Sequence, residues 1–239
     1  MNDRKPLRRV VVGIPARNEA DRLERCLASI VTAASRMPRS VDVTIVVACD
    51  SCTDHTNDLA LDFATRSPIV ETVVGRWGTA GGARRAAIGS GLAEQSVAAD
   101  RCWVATTDAD TVVPSDWLLR HAMYADAGFD AVAGVVELAA DDDCSINVSS
   151  AFRGYYRFDT AEAHSHVHGA NLGVRADRYI EAGGFPPVAC SEDHALWNAL
   201  GTLPDCRRIS PTGLVVMTSA RLHSRAAGGF ADDLARAVA

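Results

Sequence analysis

Lysine is almost absent from this 239-residue sequence: Lys5 is the only lysine, and every other fixed cation is an arginine. A mechanism that needs a buried catalytic lysine is therefore nearly excluded. A P-loop is excluded for the same reason, because its lysine contacts the phosphates of a bound nucleotide. A dinucleotide-binding Gly-x-Gly-x-x-Gly is also missing, since the glycines from Gly78 to Gly82 do not follow that spacing.

Long hydrophobic runs are missing as well. The longest apolar stretches, such as Val43–Cys49, are far shorter than the roughly 20 residues that cross a bilayer. Met1–Arg9 is basic but has neither the apolar core nor the cleavage site of a secretory signal. Seven scattered cysteines do not suggest a disulfide framework. We therefore expect a cytoplasmic protein with reduced thiols and no transmembrane segment.

The composition is that of an ordinary globular protein, with 48% hydrophobic and 23% charged residues. A formal net charge of −6 argues against nucleic acid as the main partner, because phosphate binding favours a basic surface. The length fits one large domain, or one domain with an appended lobe.

Short apolar runs alternate with helical patterns over the first half of the chain. Val10–Ile14 is rich in β-branched residues and predicts a buried strand that ends at Pro15. A further helix is expected to begin near Pro114. The other predicted strands cover 41–48, 69–74, 101–107 and 131–138, and the other predicted helices cover 23–34, 54–65 and 79–92. This alternation predicts an α/β domain with a mainly parallel sheet, whose ligands bind at the carboxyl ends of the strands.

The pattern becomes irregular after about residue 140. Helices are predicted over 149–163 and 192–200, with a strand over 170–174. We expect one domain over residues 1–239, in which about 8–138 form a Rossmann-like nucleotide-binding half and about 139–239 form a smaller acceptor-binding half.

Asp108 and Asp110 carry the sharpest chemical signal, because they directly follow a predicted strand. Two carboxylates at this spacing can converge on one hard cation, Mg²⁺ or Mn²⁺. Such a cation has open positions for diphosphate oxygens and stabilises a leaving diphosphate as a Lewis acid. The alternative is a solvated turn, since Asp-x-Asp often occurs by chance; the position at a strand end favours the metal.

Pro15–Glu19, with the sequence Pro-Ala-Arg-Asn-Glu, follows the first predicted strand. It can contact a ligand, or it can begin a helix with Asn18 as N-cap and Glu19 in the first turn. The sequence alone favours the two interpretations about equally.

Asp50 follows the second predicted strand, where a carboxylate could accept a hydrogen bond from the imide N–H of a nucleobase. The alternative is helix capping by Thr53 or Asp54. The segment Gly78–Arg85 combines glycines with cations before a helix. Small residues let the backbone approach a phosphate, and a guanidinium can pair with it through two hydrogen bonds.

Two later segments mix polar residues with apolar neighbours: His168–Asn171 and Ser191–His194. A carboxylate in this region could act as general base on an acceptor hydroxyl.

Taken in order, these motifs resemble the family 2 glycosyltransferases of the GT-A fold, over roughly Val10–Leu200. The family shares Pro-x-x-Asn-Glu, an Asp near a Ser/Thr-Asp turn, an Ala-Arg segment, Asp-x-Asp and a distal Glu-Asp pair. The resemblance implies a soluble, non-processive enzyme that uses a divalent metal. It implies a UDP- or GDP-sugar donor, a hydroxyl-bearing acceptor and an inverting in-line attack.

The resemblance also implies residue roles. Asp193 would be the catalytic base, with Glu192 beside it, and Asp110 would bind the metal. Donor binding is implied for Pro15, Arg17, Glu19, Asp50, Arg84 and Asp108, and the acceptor border for Gly169, Ala170 and Asn171. Related GT-A enzymes use a late histidine as a third metal ligand, which makes His223 a candidate.

The chain departs from the family in two places. Cys49 stands before Asp50 where the family often has a second aspartate, which leaves uracil specificity open. The Gln/Arg-x-x-Arg-Trp motif of membrane-embedded processive members is absent, which argues against a polymer synthase. The donor sugar, the acceptor and the oligomeric state stay open.

Three alternatives remain at this point. Asp108 and Asp110 could be the nucleophile and the acid/base of a haloacid-dehalogenase-type phosphatase, although that family normally uses a downstream lysine. The chain could bind sugar nucleotides without catalysis, which the presence of Asp193 disfavours. Cys49 and Cys52 could form a redox-active dithiol. A single Cys-x-x-Cys without a second pair argues against a structural zinc site.

Overall fold

The computed structural model describes residues 5–94, 96–139, 152, 160 and 162–221. The strands of these residues are β1 (Arg9–Ala16), β2 (Asp42–Asp50), β3 (Val70–Gly75), β4 (Cys102–Thr106), β5 (Thr111–Val112), β6 (Ala131–Ala133), β7 (Val135–Leu138), β8 (Leu172–Arg175), β9 (Arg208–Ile209) and β10 (Val215–Thr218). The helices are α1 (Leu23–Ser35), α2 (Thr56–Arg66), α3 (Ala80–Ala93), α4 (Trp117–Asp126), α5 (Ala176–Glu181) and α6 (Glu192–Thr202), with short 3₁₀ helices at Ala99–Arg101 and Gly169–Asn171.

The larger sheet has the strand order β3-β2-β1-β4-β8-β6-β9. β1 runs parallel to β2 and to β4, and β2 runs parallel to β3. β8 is antiparallel to β4 and to β6. The predicted α/β fold with a mainly parallel sheet is therefore confirmed, and the carboxyl ends of β1, β2 and β4 meet at one edge.

The smaller sheet has the order β5-β10-β7, with β10 antiparallel to β5 and parallel to β7. β5 begins directly after Asp110, and β10 ends shortly before Arg221. Pairing of these two strands therefore brings Arg221 to the Asp-x-Asp segment from a distant part of the chain.

The two faces of the larger sheet bury alternate residues of β1. Val10, Val12 and Ile14 belong to the core on the α1 side, whereas Val11 packs with Ile88 of α3 on the other face. This two-residue alternation follows from the pleat of a strand. The uninterrupted apolar run Val10–Ile14 fits this strand because both of its faces are covered.

Pro15 lies within β1 and does not end it. β1 pairs with β4 only as far as Gly13, whereas its pairing with β2 continues to Ala16. Proline cannot donate a hydrogen bond, and it is tolerated here where β1 has one neighbour instead of two. The helix expected to begin near Pro114 begins three residues later: α4 starts at Trp117, and Pro114 lies before it.

The single strand predicted over 131–138 is wrong. The strand is interrupted at Gly134. β6, before this residue, belongs to the larger sheet, and β7, after it, belongs to the smaller sheet. A Cβ at Gly134 would lie 2.2 Å from Asn171 Nδ2, and the Gly134 amide donates to the Asn171 carbonyl at 2.8 Å. The close approach of Asn171 therefore requires a glycine at the break.

The predicted helix over 149–163 falls largely outside the described residues. Its last residue, Ala163, forms an isolated antiparallel bridge with Pro211 and is not helical. The strand predicted over 170–174 begins as the 3₁₀ helix Gly169–Asn171 and becomes β8 only at Leu172. Within the described residues, no helix is long and apolar enough to cross a membrane.

Candidate functional site

The residues predicted for function gather at the carboxyl edge of the larger sheet. Asp50 is the last residue of β2, and Asp108 follows β4 by two residues. Because β1, β2 and β4 are parallel, their polar ends face the same cleft. Asp193 lies in the first turn of α6, and Gly169 lies before β8.

Arg84 joins two of the predicted motifs. Its Nη2 donates to Asp108 Oδ1 and its Nη1 donates to Glu192 Oε1. The Arg84 side chain is 4% exposed and that of Glu192 is 10% exposed. Burial opposes the charge, but the carboxylates of Asp108 and Glu192 outweigh it and raise the pKa of Arg84. Arg84 therefore stays a fixed cation between the Asp-x-Asp segment and α6.

Two glycines make room for this bridge. A Cβ at Gly169 would lie 2.4 Å from Arg84 Cζ, and a Cβ at Gly81 would lie 2.8 Å from Glu192 Cβ. Real Cβ atoms do not approach other atoms so closely, so a side chain at either position would displace the bridge. Gly81 in α3 and Gly169 before β8 therefore serve close packing around the Arg84–Glu192 pair.

Asp193 is held beside Gly169. Its Oδ2 accepts a hydrogen bond from the Gly169 amide at 2.8 Å, and its Oδ1 accepts one from the amide of His194 at 2.7 Å. The Gly169 carbonyl in turn accepts from Thr106 Oγ1 at 2.6 Å. Both Asp193 oxygens retain further acceptor capacity, as a general base requires.

Asp110 belongs to a second ionic cluster, with Glu19 and Arg221. Arg221 donates to both carboxylate oxygens of Glu19, at 2.6 Å and 2.8 Å, and its Nη2 also lies 2.9 Å from Asp110 Oδ2. Burial, opposed by Arg221 and aided by Asp108, raises the pKa of Asp110 to about 6. Arg221 is not among the residues predicted from the sequence, although His223 of the same late segment is.

The aspartate pair fits a divalent cation. Asp108 uses one oxygen for Arg84 and Asp110 uses one for Arg221, so each retains an oxygen that receives no hydrogen bond from the described residues. No group of three His, Cys, Asp or Glu among the described residues could hold a metal. Mg²⁺ is commonly held by one or two carboxylates together with substrate phosphates, and this pair matches that pattern. His223 lies outside the described residues.

Asp50 is 4% exposed and faces the end of β3. Its Oδ1 accepts from the Trp77 amide at 2.8 Å and from Ser51 Oγ at 3.0 Å. Pro15 is partly buried at the end of β1, whereas Arg17 is exposed.

Asn18 is not the N-cap of α1. It adopts a positive φ of 56° and accepts from the Thr53 amide at 2.7 Å, and α1 begins only at Leu23. Asp54 does stabilise the start of α2, because its Oδ1 accepts from the Thr56 amide at 3.0 Å. Thr56 Oγ1 then accepts from the Glu19 amide at 2.7 Å. The loops after β1 and β2 are thus tied together.

Asn171 and Ala170 are both buried. The Asn171 side chain donates from Nδ2 to the carbonyls of Val135 and Leu214, each at 2.9 Å. Its Oδ1 accepts from Trp117 Nε1 at 2.9 Å. All three of these partners belong to buried residues of the hydrophobic core. Of the three residues implied for the acceptor border, Gly169 is the one whose amide contacts the candidate base.

The structure offers little to the phosphatase and dithiol alternatives. Lys5 lies on the surface, 3.6 Å from Asp100, with its side chain 65% exposed, so it cannot assist Asp108. Burial and the neighbouring Cys52 raise the pKa of Cys49 to about 12, which opposes thiolate chemistry at this residue.

Comparisons with known proteins address the family and the fold of the chain. The sequence profile of Glycosyl transferase family 2 matches residues 11–176. No curated protein sequence matches the chain significantly.

Several solved structures share the fold. S. aureus TarS 1–349 in complex with UDP-GlcNAc superposes with a TM-score of 0.66 at 14% identity, covering 97% of this chain and 65% of that one. Mannosyltransferase PcManGT from Pyrobaculum calidifontis, in complex with GDP-Man and Mn²⁺, gives a TM-score of 0.64 at 23% identity, covering 92% of this chain and 59% of that one. GalNAc-T7 with UDP, GalNAc and Mn²⁺ gives 0.61 at 15% identity, with 91% and 44% covered. The chain thus spans less than two thirds of the length of each of these structures.

Proposed function

Because the chain belongs to glycosyl transferase family 2 and has the GT-A fold, we propose that it transfers a sugar from a nucleotide-diphosphate sugar to an acceptor hydroxyl. The proposed reaction depends on a divalent metal and inverts the anomeric carbon. The donor is a UDP- or GDP-sugar: TarS is known with UDP-GlcNAc and PcManGT with GDP-Man and Mn²⁺.

The observation that carries the proposal is the bridge formed by Arg84. It binds Asp108 after β4 and Glu192 in α6, which are separated in sequence but adjacent at the cleft. The buried Arg84 guanidinium therefore holds Asp108, a proposed donor-binding carboxylate, and Glu192, the residue next to the candidate base. Fixed geometry between donor and base is what an in-line displacement requires.

Asp193 is the proposed general base. It accepts the proton of the acceptor hydroxyl while that oxygen attacks the anomeric carbon. The bond from this carbon to the diphosphate breaks, and its electron pair stays on the diphosphate oxygen. A single displacement of this kind inverts the carbon. The hydrogen bond from the Gly169 amide orients the carboxylate.

Asp50, Glu19 and Pro15 lie at the carboxyl ends of β1 and β2, and we assign them to the nucleoside end of the donor. Asp108 and Asp110 face the diphosphate end. A divalent cation held by Asp110, with Asp108 beside it, would supply Lewis-acid stabilisation of the leaving diphosphate.

Thermal unfolding with UDP- and GDP-sugars, each with and without Mn²⁺, tests the proposal. A ligand present at 100 times its Kd stabilises the folded state by about 2.7 kcal/mol. For a protein of this size, that corresponds to a rise in Tm of roughly 5–10 °C. We expect this rise with one nucleotide, only with Mn²⁺, and not in Asp110→Ala.

Asp116→Ala is the matched control, because Asp116 pairs with Arg120 outside the cleft and its loss should leave the ligand-induced rise intact. If folded wild-type protein showed no rise with any nucleotide, the proposal would be wrong and phosphate-ester hydrolysis would become the better hypothesis. A rise without sugar transfer would favour a protein that binds sugar nucleotides without catalysis.

A further inference from the structure

A groove of about 370 Å³ lies beside Asp50, on the β3 side of the cleft. It is lined by Ser51 and Thr53, in the loop after β2, and by Val74 and Arg76, at the end of β3. Asn57, in the first turn of α2, also lines it. We call this the Asn57 groove. It adjoins the nucleoside end of the donor site, because Asp50 immediately precedes Ser51 and pairs in register with Gly75 of β3.

Asn57 has an unsatisfied acceptor. Its Oδ1 is buried and receives no hydrogen bond from the described residues. Most buried polar atoms are hydrogen-bonded, and an unpaired one indicates an absent partner. The terminal torsion of asparagine is broad, so the amide can turn this oxygen toward a ligand in the groove that it lines. Such a ligand would need an N–H donor.

The hydroxyls of the groove are already used as donors. Ser51 Oγ donates to Asp50 Oδ1 at 3.0 Å, and Thr53 Oγ1 donates to Asn18 Oδ1 at 3.2 Å. Arg76 is exposed and makes no hydrogen bond or ion pair with another described residue. The strongest donor that the groove can offer to a ligand is therefore a guanidinium.

Asp50 supplies a second acceptor at the same place. Its Oδ1 is occupied by the Trp77 amide and by Ser51, and within the described part of the chain its Oδ2 receives no hydrogen bond. With the Asn57 side-chain amide turned toward the ligand, the Asn57 groove and its border combine two acceptor oxygens, from Asp50 and Asn57, with one cation, from Arg76.

We propose that this groove selects guanine, so that the donor is a GDP-sugar. The inference rests on the proposed function and specifies its substrate. Guanine carries two adjacent N–H groups on one edge, N1–H and the N2 amino group, which match two acceptors. Its O6 and N7 match an arginine. Uracil presents a single N–H between two carbonyl oxygens and would leave one of the acceptors unpaired.

Isothermal titration of GDP and of UDP, each with Mn²⁺, tests this selection on the full chain. Leaving a buried acceptor unpaired weakens binding by about tenfold, so GDP should bind at least about tenfold more tightly than UDP. Asn57→Ala and Arg76→Gln should each weaken GDP by about tenfold and change UDP by less than about twofold. Asn57→Asp retains an acceptor oxygen and should retain the preference for GDP, which separates a lost hydrogen bond from a lost fold.

Asn198→Ala and Arg66→Gln are matched controls on exposed helix positions away from the groove, and neither should change the ratio of the two affinities. Tighter binding of UDP, or an unchanged ratio in Asn57→Ala and Arg76→Gln, would overturn the guanine assignment while leaving the proposed function standing. Failure of both nucleotides to bind folded wild-type protein would overturn both.

Discussion

Arg84 illustrates how much a single residue determines at this site. Its guanidinium reaches two carboxylates on opposite sides of the cleft, and its planar fork of donors makes both contacts at once. A lysine has one compact ammonium on a flexible stem and lacks this planar fork of donors.

Asp193→Asn tests the base directly. Loss of general-base catalysis should lower kcat by about 10²–10⁴-fold, while the Mn²⁺-dependent affinity for the donor nucleotide stays within a few-fold of wild type. Steady-state kinetics and nucleotide titration separate the two effects. Asp205→Asn is the control, because Asp205 is exposed and outside the cleft. Unchanged kcat in Asp193→Asn would reject this residue as the base.

Asp110 links metal binding to pH. Its folded-state pKa is about 6, against a usual 3.8, so between these values the folded protein holds a proton that the unfolded chain has released. The contribution of Asp110 to stability therefore falls as the pH rises through this window. Asp110→Asn does not titrate there. Without metal, its Tm should exceed that of wild type by more at pH 7.5 than at pH 4.5.

The same protonation should weaken metal binding, because a protonated carboxyl is a poor ligand. Mn²⁺ affinity, measured by titration, should fall as the pH drops below about 6 and should be lost in Asp110→Asn. A Tm difference between the two proteins that does not vary with pH would contradict the assignment of the raised pKa to Asp110.

At the scale of elements, α3 depends on its small residues to pack on the sheet. A Cβ at Gly91 would lie 2.4 Å from Val11 Cγ1 of β1, and a Cβ at Gly13 would lie 2.7 Å from Ile88 Cγ1 of α3. Gly89, on the same helix, has no neighbouring atom within 4 Å of such a Cβ. Gly91 and Gly89 of α3 thus face different surroundings.

Gly91→Ala and Gly89→Ala form a matched pair. Overpacking against β1 should cost Gly91→Ala about 1–3 kcal/mol of unfolding free energy. Gly89→Ala should gain up to about 1 kcal/mol, because alanine favours a helix over glycine. Urea denaturation measures both. Equal effects of the two substitutions would show that contact with β1 does not determine the role of Gly91.

Sequence patterns predicted the elements whose signal is local. The β-branched run at Val10–Ile14 and the apolar spacing of α1 depend on few distant contacts, and both elements are present. The break at Gly134 escaped prediction because its cause, Asn171, lies far along the chain. Arg221 escaped for the same reason: only the pairing of β10 with β5 places it beside Asp110.

At the scale of the whole molecule, Asn171 connects the two sheets. Its side chain bonds to β7, to the Leu214 carbonyl just before β10, and to Trp117 at the start of α4. The residue itself lies between Gly169, which contacts the candidate base, and β8 of the larger sheet. The cleft therefore depends on a connection that takes no part in the chemistry.

Asn171→Ala should destabilise the whole fold. It removes three buried hydrogen bonds and leaves the Trp117 indole N–H without a partner, and an unsatisfied buried group costs about 1–3 kcal/mol. We expect a loss of several kcal/mol in chemical denaturation, as a single transition if the two sheets unfold together. Asn198→Ala, at an exposed position of α6, should stay near wild type. A loss below about 1 kcal/mol would contradict the connecting role.

The position of Lys5 has a practical consequence. Lys5 precedes β1, and its partner Asp100 precedes β4, so the chain's single side-chain amine lies at the edge of the sheet opposite the cleft. β1 has eight residues, which at about 3.3 Å each separate the two edges by roughly 25 Å. Coupling through this amine to a sensor surface would immobilise the molecules in one orientation, with the donor site facing the solution.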